Sequence, residues 1–215
     1  MYDFIRGPLV WTVFLIFFAG CIYKLVRLVR RAKDDKVVLP YMTWKHSLRS
    51  IAHWVVPFGA RNMRLRPVMT VATFAFHLCL LVTPLFLMAH NVLWFESWGL
   101  SLPSLPERVA DVMTLVVIAA GVFFLARRIY VPVVAYVTDV SDYLILLVAI
   151  APFITGFMAT QGWFHYDTML ILHILSGALW LVAIPFTRLS HMIYFAFTRA
   201  YMGCEFGAVR NARDW

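Results

Sequence analysis

Apolar residues along this chain come in long blocks separated by short polar punctuation, and the blocks have the length a bilayer demands. A helix rises about 1.5 Å per residue, so roughly 17–25 apolar residues cross a hydrocarbon core about 30 Å thick. Five blocks qualify, at about residues 8–28, 67–94, 110–126, 143–160 and 168–193. Pro67 stands where a helix tolerates proline, at its first turn. Gly99, Pro103 and Pro106 interrupt the chain after the second block, Arg127 and Arg128 close the third, and Pro132 marks the next connection. The pattern predicts an all-α integral membrane protein of five transmembrane helices, with 1–215 forming one membrane domain. Between the first two blocks, residues 29–66 form a basic loop. Within it, residues 44–56 (WKHSLRSIAHWVV) mix cationic and apolar residues at near-helical spacing, as a helix lying in the membrane interface does. No internal repeat or low-complexity segment is visible.

Composition agrees with this reading. Hydrophobic residues make up 62% and charged residues 14%, against about 25% charged in an ordinary soluble domain. The net charge of +8 would suggest nucleic acid in a soluble protein, but here the basic residues fall on one side of the membrane. Of nineteen Lys and Arg, eleven lie between Lys24 and Arg66, two are Arg127 and Arg128, and four are Arg188, Arg199, Arg210 and Arg213. Only Arg6 and Arg108 fall on the other side. The bias places the N-terminus outside and the C-terminus in the cytoplasm, as an odd number of spans requires. Positive charge follows the first apolar block instead of preceding it, so no cleavable signal peptide is expected. Cys21, Cys79 and Cys204 stand singly, with neither a C-x-x-C pair nor a C-x-x-C-H haem attachment motif. Trp94, Trp98 and Trp163 suit an interfacial aromatic belt.

Seven histidines are present, and four of them, His77, His90, His173 and His191, lie within or at the ends of the second and fifth spans. Polar groups inside a membrane are costly unless partnered, so they mark either a hydrogen bond between helices or a functional site. Two neutral imidazoles on facing helices form the axial ligand set of a b-type haem, and helix bundles place cofactors between such inward-pointing side chains. Depth pairs His77 with His191 near the inner face and His90 with His173 near the outer face. His173 and His191, 18 residues apart, share one face of an ideal helix about 27 Å apart along its axis. His77 and His90, 13 residues apart, are separated by about 20 Å of rise and about 220° of rotation, so they do not share a face. A kink at Pro84 is then needed to bring His90 round, and His165 is the substitute outer ligand. His46 and His53 fall in the basic interfacial segment, where a solvated role is expected.

The fifth span reads His173-Ile174-Leu175-Ser176-Gly177 and then Ile184-Pro185-Phe186-Thr187-Arg188-Leu189-Ser190-His191. This resembles the final span of the respiratory nitrate reductase gamma-subunit family, with H-x-x-x-G followed by P-F-S/T-R-L-x-H. The likeness extends to Phe76-His77, to Leu125-Ala126-Arg127-Arg128 with Pro132, and to Thr138, Asp142 and Leu144-Ile145-Leu146. It covers roughly residues 67–200. The chain's size, its N-terminal MYDF and its long basic loop resemble most the cytochrome b subunits of transmembrane redox complexes in sulfate-reducing bacteria. The two histidines of the second span lie farther apart here than in nitrate reductase. The resemblance implies two bis-histidine haem b groups held by His77, His191, His90 and His173, with Arg188 placed to pair a haem propionate.

These observations lead to the expectation of an electron-transfer subunit of an oxidoreductase complex in the bacterial inner membrane. Its implied partners are a cytoplasmic iron–sulfur subunit, a periplasmic multihaem cytochrome c or menaquinol, and other membrane subunits. A quinol site would draw on His165, Glu96 or Asp167. Two readings of another class are a small-solute or metal transporter and a passive membrane anchor. Against the transporter, spans two to five lack acidic residues of a cation-coupled path and show no repeat symmetry.

Overall fold

The computed structural model describes residues 4–214, and among them every regular element is helical. A π-helical turn, Ile5–Leu9, leads into α1 (Val10–Lys33). Then come α2 (Trp44–Val55), α3 (Arg61–Leu65), α4 (Pro67–Phe86), α5 (Met88–Trp98), α6 (Glu107–Tyr130) and α7 (Pro132–Tyr136). The chain continues through α8 (Val140–Thr160), α9 (Tyr166–Phe186) and α10 (His191–Cys204). Five helices are long and apolar enough to cross a membrane: Ile5–Lys33, Pro67–Phe86, Glu107–Tyr130, Val140–Thr160 and Tyr166–Phe186. The protein is therefore all-helical with five candidate membrane spans. The chain divides into two compact units: residues up to Arg6 with Ala72–Trp180, and Gly7–Val71 with Leu181–Trp215.

The core of the first unit joins Phe76, Cys79 and Leu80 of α4 to Val117 and Ala120 of α6 and to Ile150 and Phe153 of α8. The spacing 76, 79, 80 sets three apolar side chains on one helical face. Gly121 lets α6 approach α8 closely, since a Cβ there would sit 2.7 Å from Ile150 Cγ2. The outward faces are no more polar than the core: Leu78 is 63% exposed, and Leu144 and Leu147 are each 56% exposed. A helix apolar on every side needs a nonpolar surround, and a bilayer supplies one.

Two of the expected spans are interrupted. Residues 67–94 are not one helix: α4 stops at Phe86, Leu87 is extended (φ −69°, ψ 131°), and α5 restarts at Met88. Pro84 has no amide to continue the ladder, and the break follows within three residues. A carbonyl at the break is taken up again, and the chain beyond it is tied back. Phe86 O accepts from Leu105 N–H at 2.8 Å, and the buried Asn91 side chain receives Leu102 N–H at 3.4 Å and donates to Ser104 Oγ at 3.0 Å. Residues 168–193 are likewise interrupted, at Thr187 (φ −120°, ψ −170°), where Thr187 and Ser190 close a 3₁₀ turn. The premise of five continuous helical turns between His173 and His191 therefore does not hold.

In the second unit, α2 packs against α10 through small residues. A Cβ on Gly203 would collide with Ser50 Cβ and the His46 carbonyl. Ser47 Oγ and Cys204 Sγ lie 3.3 Å apart, and Ser50 Oγ donates to Asp214 Oδ2. Thr43 caps α2 by accepting from His46 N–H. The opposite face of α2 carries Trp44, Leu48 and Val55, which are 82%, 58% and 53% exposed. This helix buries serine and exposes tryptophan and leucine, the reverse of a helix on a soluble protein and the arrangement of one lying on lipid. Four candidate spans separate α2 from α10 in sequence, an even number of crossings, so their contact fits both lying on one side of a membrane.

The basic loop is tied to the tail by Tyr201, whose hydroxyl donates to Asp35 Oδ2 at 2.5 Å. That bond holds the Asp35 carboxyl below its ordinary range, helped by the Val37 amide, and pushes the Tyr201 hydroxyl up to about 12.

Candidate functional site

Within the first unit, α5, α8 and α9 bring two of the four span histidines together. The rings of His90 and His173 have centroids 5.9 Å apart and planes inclined by 19°. His90 reaches this position because the chain breaks at Leu87 and restarts as α5, which sets it on a helix of its own. Its Nδ1 lies 2.9 Å from Pro84 O, a carbonyl whose helical partner the break removes. The Nδ1 of His173 lies 2.8 Å from Pro152 O on α8. A carbonyl can only accept, so in both rings the Nδ1 carries the proton and Nε2 carries the lone pair.

Gly156, one turn beyond Pro152, makes room for the His173 ring. An ideal Cβ on Gly156 would lie 2.9 Å from its Nδ1 and 3.0 Å from its Cε1. Thr155 and Ser176 hydroxyls meet at 3.2 Å between α8 and α9, and Ser176 also donates to His173 O at 3.0 Å. The ring is thus fixed by a carbonyl on one helix, a side-chain void beside it and a hydroxyl pair one turn away.

Two imidazoles that ligate one ion in line, with metal–nitrogen bonds of about 2.0 Å, keep their ring centroids about 6.3 Å apart. The observed ring-centre separation of 5.9 Å is close to that value. Among the described residues, no group of three or more His, Cys, Asp or Glu could hold a metal ion. An ion at His90 and His173 would therefore take two ligands from the protein and the rest from elsewhere, as a porphyrin-bound iron does. The donor set fits an axial bis-imidazole haem.

The other two span histidines show the same hydrogen-bond arrangement. His77 donates from Nδ1 to Thr73 O at 2.8 Å, with Phe76 edge-on at 5.5 Å, and His191 donates from Nδ1 to Arg188 O at 2.8 Å. Metal-ligating histidines usually donate their second nitrogen to a carbonyl or carboxylate, which fixes the ring and its tautomer. His77 belongs to the first unit and His191 and Arg188 to the second. All three are exposed, as is His165 in the turn before α9, and it is His90 that lies beside His173. Of the groups considered for a quinol site, Glu96 is engaged by Arg6 at 2.7 Å, and Asp167 opens α9 in the exposed turn. Sequence reasoning did not find Pro152, Gly156 or the Thr155–Ser176 pair, because each acts across a helix interface that periodicity cannot reveal.

A protein of Nitratidesulfovibrio vulgaris is 39% identical to this chain over 216 residues, covering 98% of this chain and 96% of its own length. The chain belongs to that protein's family. The relative's name, "Protein", says nothing of its activity. No family model matches the chain, and no solved structure matches it.

Proposed function

We propose that this chain is a membrane electron-transfer subunit holding two b-type haems, one of them between His90 and His173. The observation that carries the reading is the ring pair at 5.9 Å with both Nδ1 protons tied to carbonyls. Both rings are held as the tautomer that presents an Nε2 lone pair, so little reorganisation is needed on ligation. A haem held there supplies one-electron iron chemistry at a potential set by its axial ligands and burial. His90 and His173 would hold the group, while the Pro84 and Pro152 carbonyls and the space at Gly156 set the position of the two rings.

The second haem rests on the family resemblance alone, which implies His77 and His191 as its ligands and Arg188 as the partner of a propionate. Orientation follows the distribution of Lys and Arg: N-terminus outside, C-terminus in the cytoplasm of a bacterial inner membrane. On this reading the His90–His173 site serves the outer face. It exchanges electrons with a periplasmic multihaem cytochrome c or with menaquinol, and the inner site serves a cytoplasmic iron–sulfur subunit docked on the basic loop and tail.

The test is spectroscopic. In the purified protein, His90→Ala and His173→Ala each lose one haem, and the same α-band component disappears in both. Full haem content in both variants, or loss of different components, overturns the assignment.

A further inference from the structure

The second unit contains a cavity of about 550 Å³ lined by Trp54, Arg61, Asn62, Arg199, Arg213 and Asp214, among others. Among the described residues, three arginines and a single carboxylate line it, and that carboxylate is already engaged by Ser50 through Oδ2. Its Oδ1 is buried without a hydrogen-bond partner. The Arg199 guanidinium lies 4.5 Å from the Trp54 ring centre, which fixes its plane and leaves N–H donors at its edge. The site therefore offers excess positive charge for an anion and one acceptor awaiting a donor. Its wall is formed in part by α2, whose exposed Trp44, Leu48 and Val55 make the face suited to lipid.

We propose that this cavity binds a phosphodiester that carries a hydroxyl or ammonium donor beyond its phosphate, the chemistry of a phospholipid head group. The phosphate sits among Arg61, Arg199 and Arg213, and Asp214 Oδ1 accepts from the head-group donor. The apolar face of α2 lies along the acyl chains. A basic pocket beside an interfacial helix is a recurrent way to hold an anionic lipid. This inference does not rest on the haem assignment.

Native mass spectrometry of the full chain as purified, released from nanodiscs of defined composition, tests it. Phosphatidylglycerol is the probe, with phosphatidic acid and soluble glycerol 3-phosphate as comparisons. The expected result is one retained phosphatidylglycerol per chain, bound at least tenfold more weakly in Arg61→Gln and Arg199→Gln but unchanged in Arg108→Gln. Asp214→Asn, which keeps every cation, is expected to lose the preference for phosphatidylglycerol over phosphatidic acid while keeping phosphate binding. No retained lipid, retention that ignores both arginine substitutions, or glycerol 3-phosphate bound as tightly as the lipid would each overturn the proposal. The absorbance spectrum of the same samples is expected to be the same in every variant, whatever cofactor the chain carries.

Discussion

Replacing Gly156 by alanine adds one methyl group and aims it at a ligand. The new carbon would sit 2.9 Å from His173 Nδ1 and 3.0 Å from Cε1, where ordinary contact begins at 3.4 Å. The ring must retreat by roughly 0.5 Å or turn off its rotamer, which costs about 0.5–1.5 kcal/mol. Retreat also stretches the 2.8 Å bond to Pro152 O, a bond of about 1 kcal/mol net. Together these approach about 2 kcal/mol borne by the ligated state, or roughly 10–100-fold in affinity, the range found when outer partners of metal ligands are altered. The assay is transfer of haem from the purified variant to excess apomyoglobin, followed through the component that His173→Ala removes. Gly121→Ala is the control. Its methyl group would press on Ile150 at 2.7 Å in the core and is expected to lower thermal stability while leaving haem transfer and spectrum unchanged. If Gly156→Ala gives up haem no faster than wild type, with an unshifted spectrum, the view that α8 positions His173 is wrong.

Further expectations follow from the same structure. His165→Ala keeps both haems with an unchanged spectrum, since its side chain is exposed and it is His90 that pairs with His173, and loss of a haem would make it the outer ligand instead of His90. Gly203→Val forces α2 off α10 and is expected to cost about 1–3 kcal/mol, seen as faster proteolysis within residues 34–66 while haem content holds. Asn91→Ala removes the buried tie to Leu102 and Ser104, so amides of residues 100–105 should exchange hydrogen faster. The Tyr201–Asp35 bond sets a pH window. Asp35 is depressed in the folded state, so its contribution is present above the usual carboxylate value of about 3.9 and is lost as pH falls through the lowered one. Tyr201 is raised, so its contribution is full below about 10 and is lost as pH rises through about 12. Tyr201→Phe should flatten both limbs of loop protection measured by proteolysis against pH.

The five long helices are legible in the sequence because the bilayer imposes a length, and runs such as residues 110–126 meet it without reference to tertiary contacts. The breaks at Leu87 and Thr187 were harder to read. Pro84 signals a disturbance, but the position of the extended residue depends on the Leu105 amide folding back onto the Phe86 carbonyl and on Asn91 tying down Leu102 and Ser104. The outer ligand choice turned on that break: an ideal helix rotates His90 away from His77, and a separate α5 removes the constraint. The apolar side of α2 was visible as mixed cationic and apolar spacing, but the burial of its serines against Gly203 was not, since the partner lies about 150 residues away. Gly156 was invisible for the same reason. A glycine in an apolar run has many explanations until a ring is seen beside it.

Pyridine haemochrome quantitation of the purified chain, paired with its reduced-minus-oxidised spectrum, tests the central claim most directly. Two b-type haems per polypeptide with low-spin α-bands are expected, falling to one in His90→Ala. A chain that folds in detergent and carries no haem, or carries haem that His90→Ala and His173→Ala leave untouched, would contradict the account.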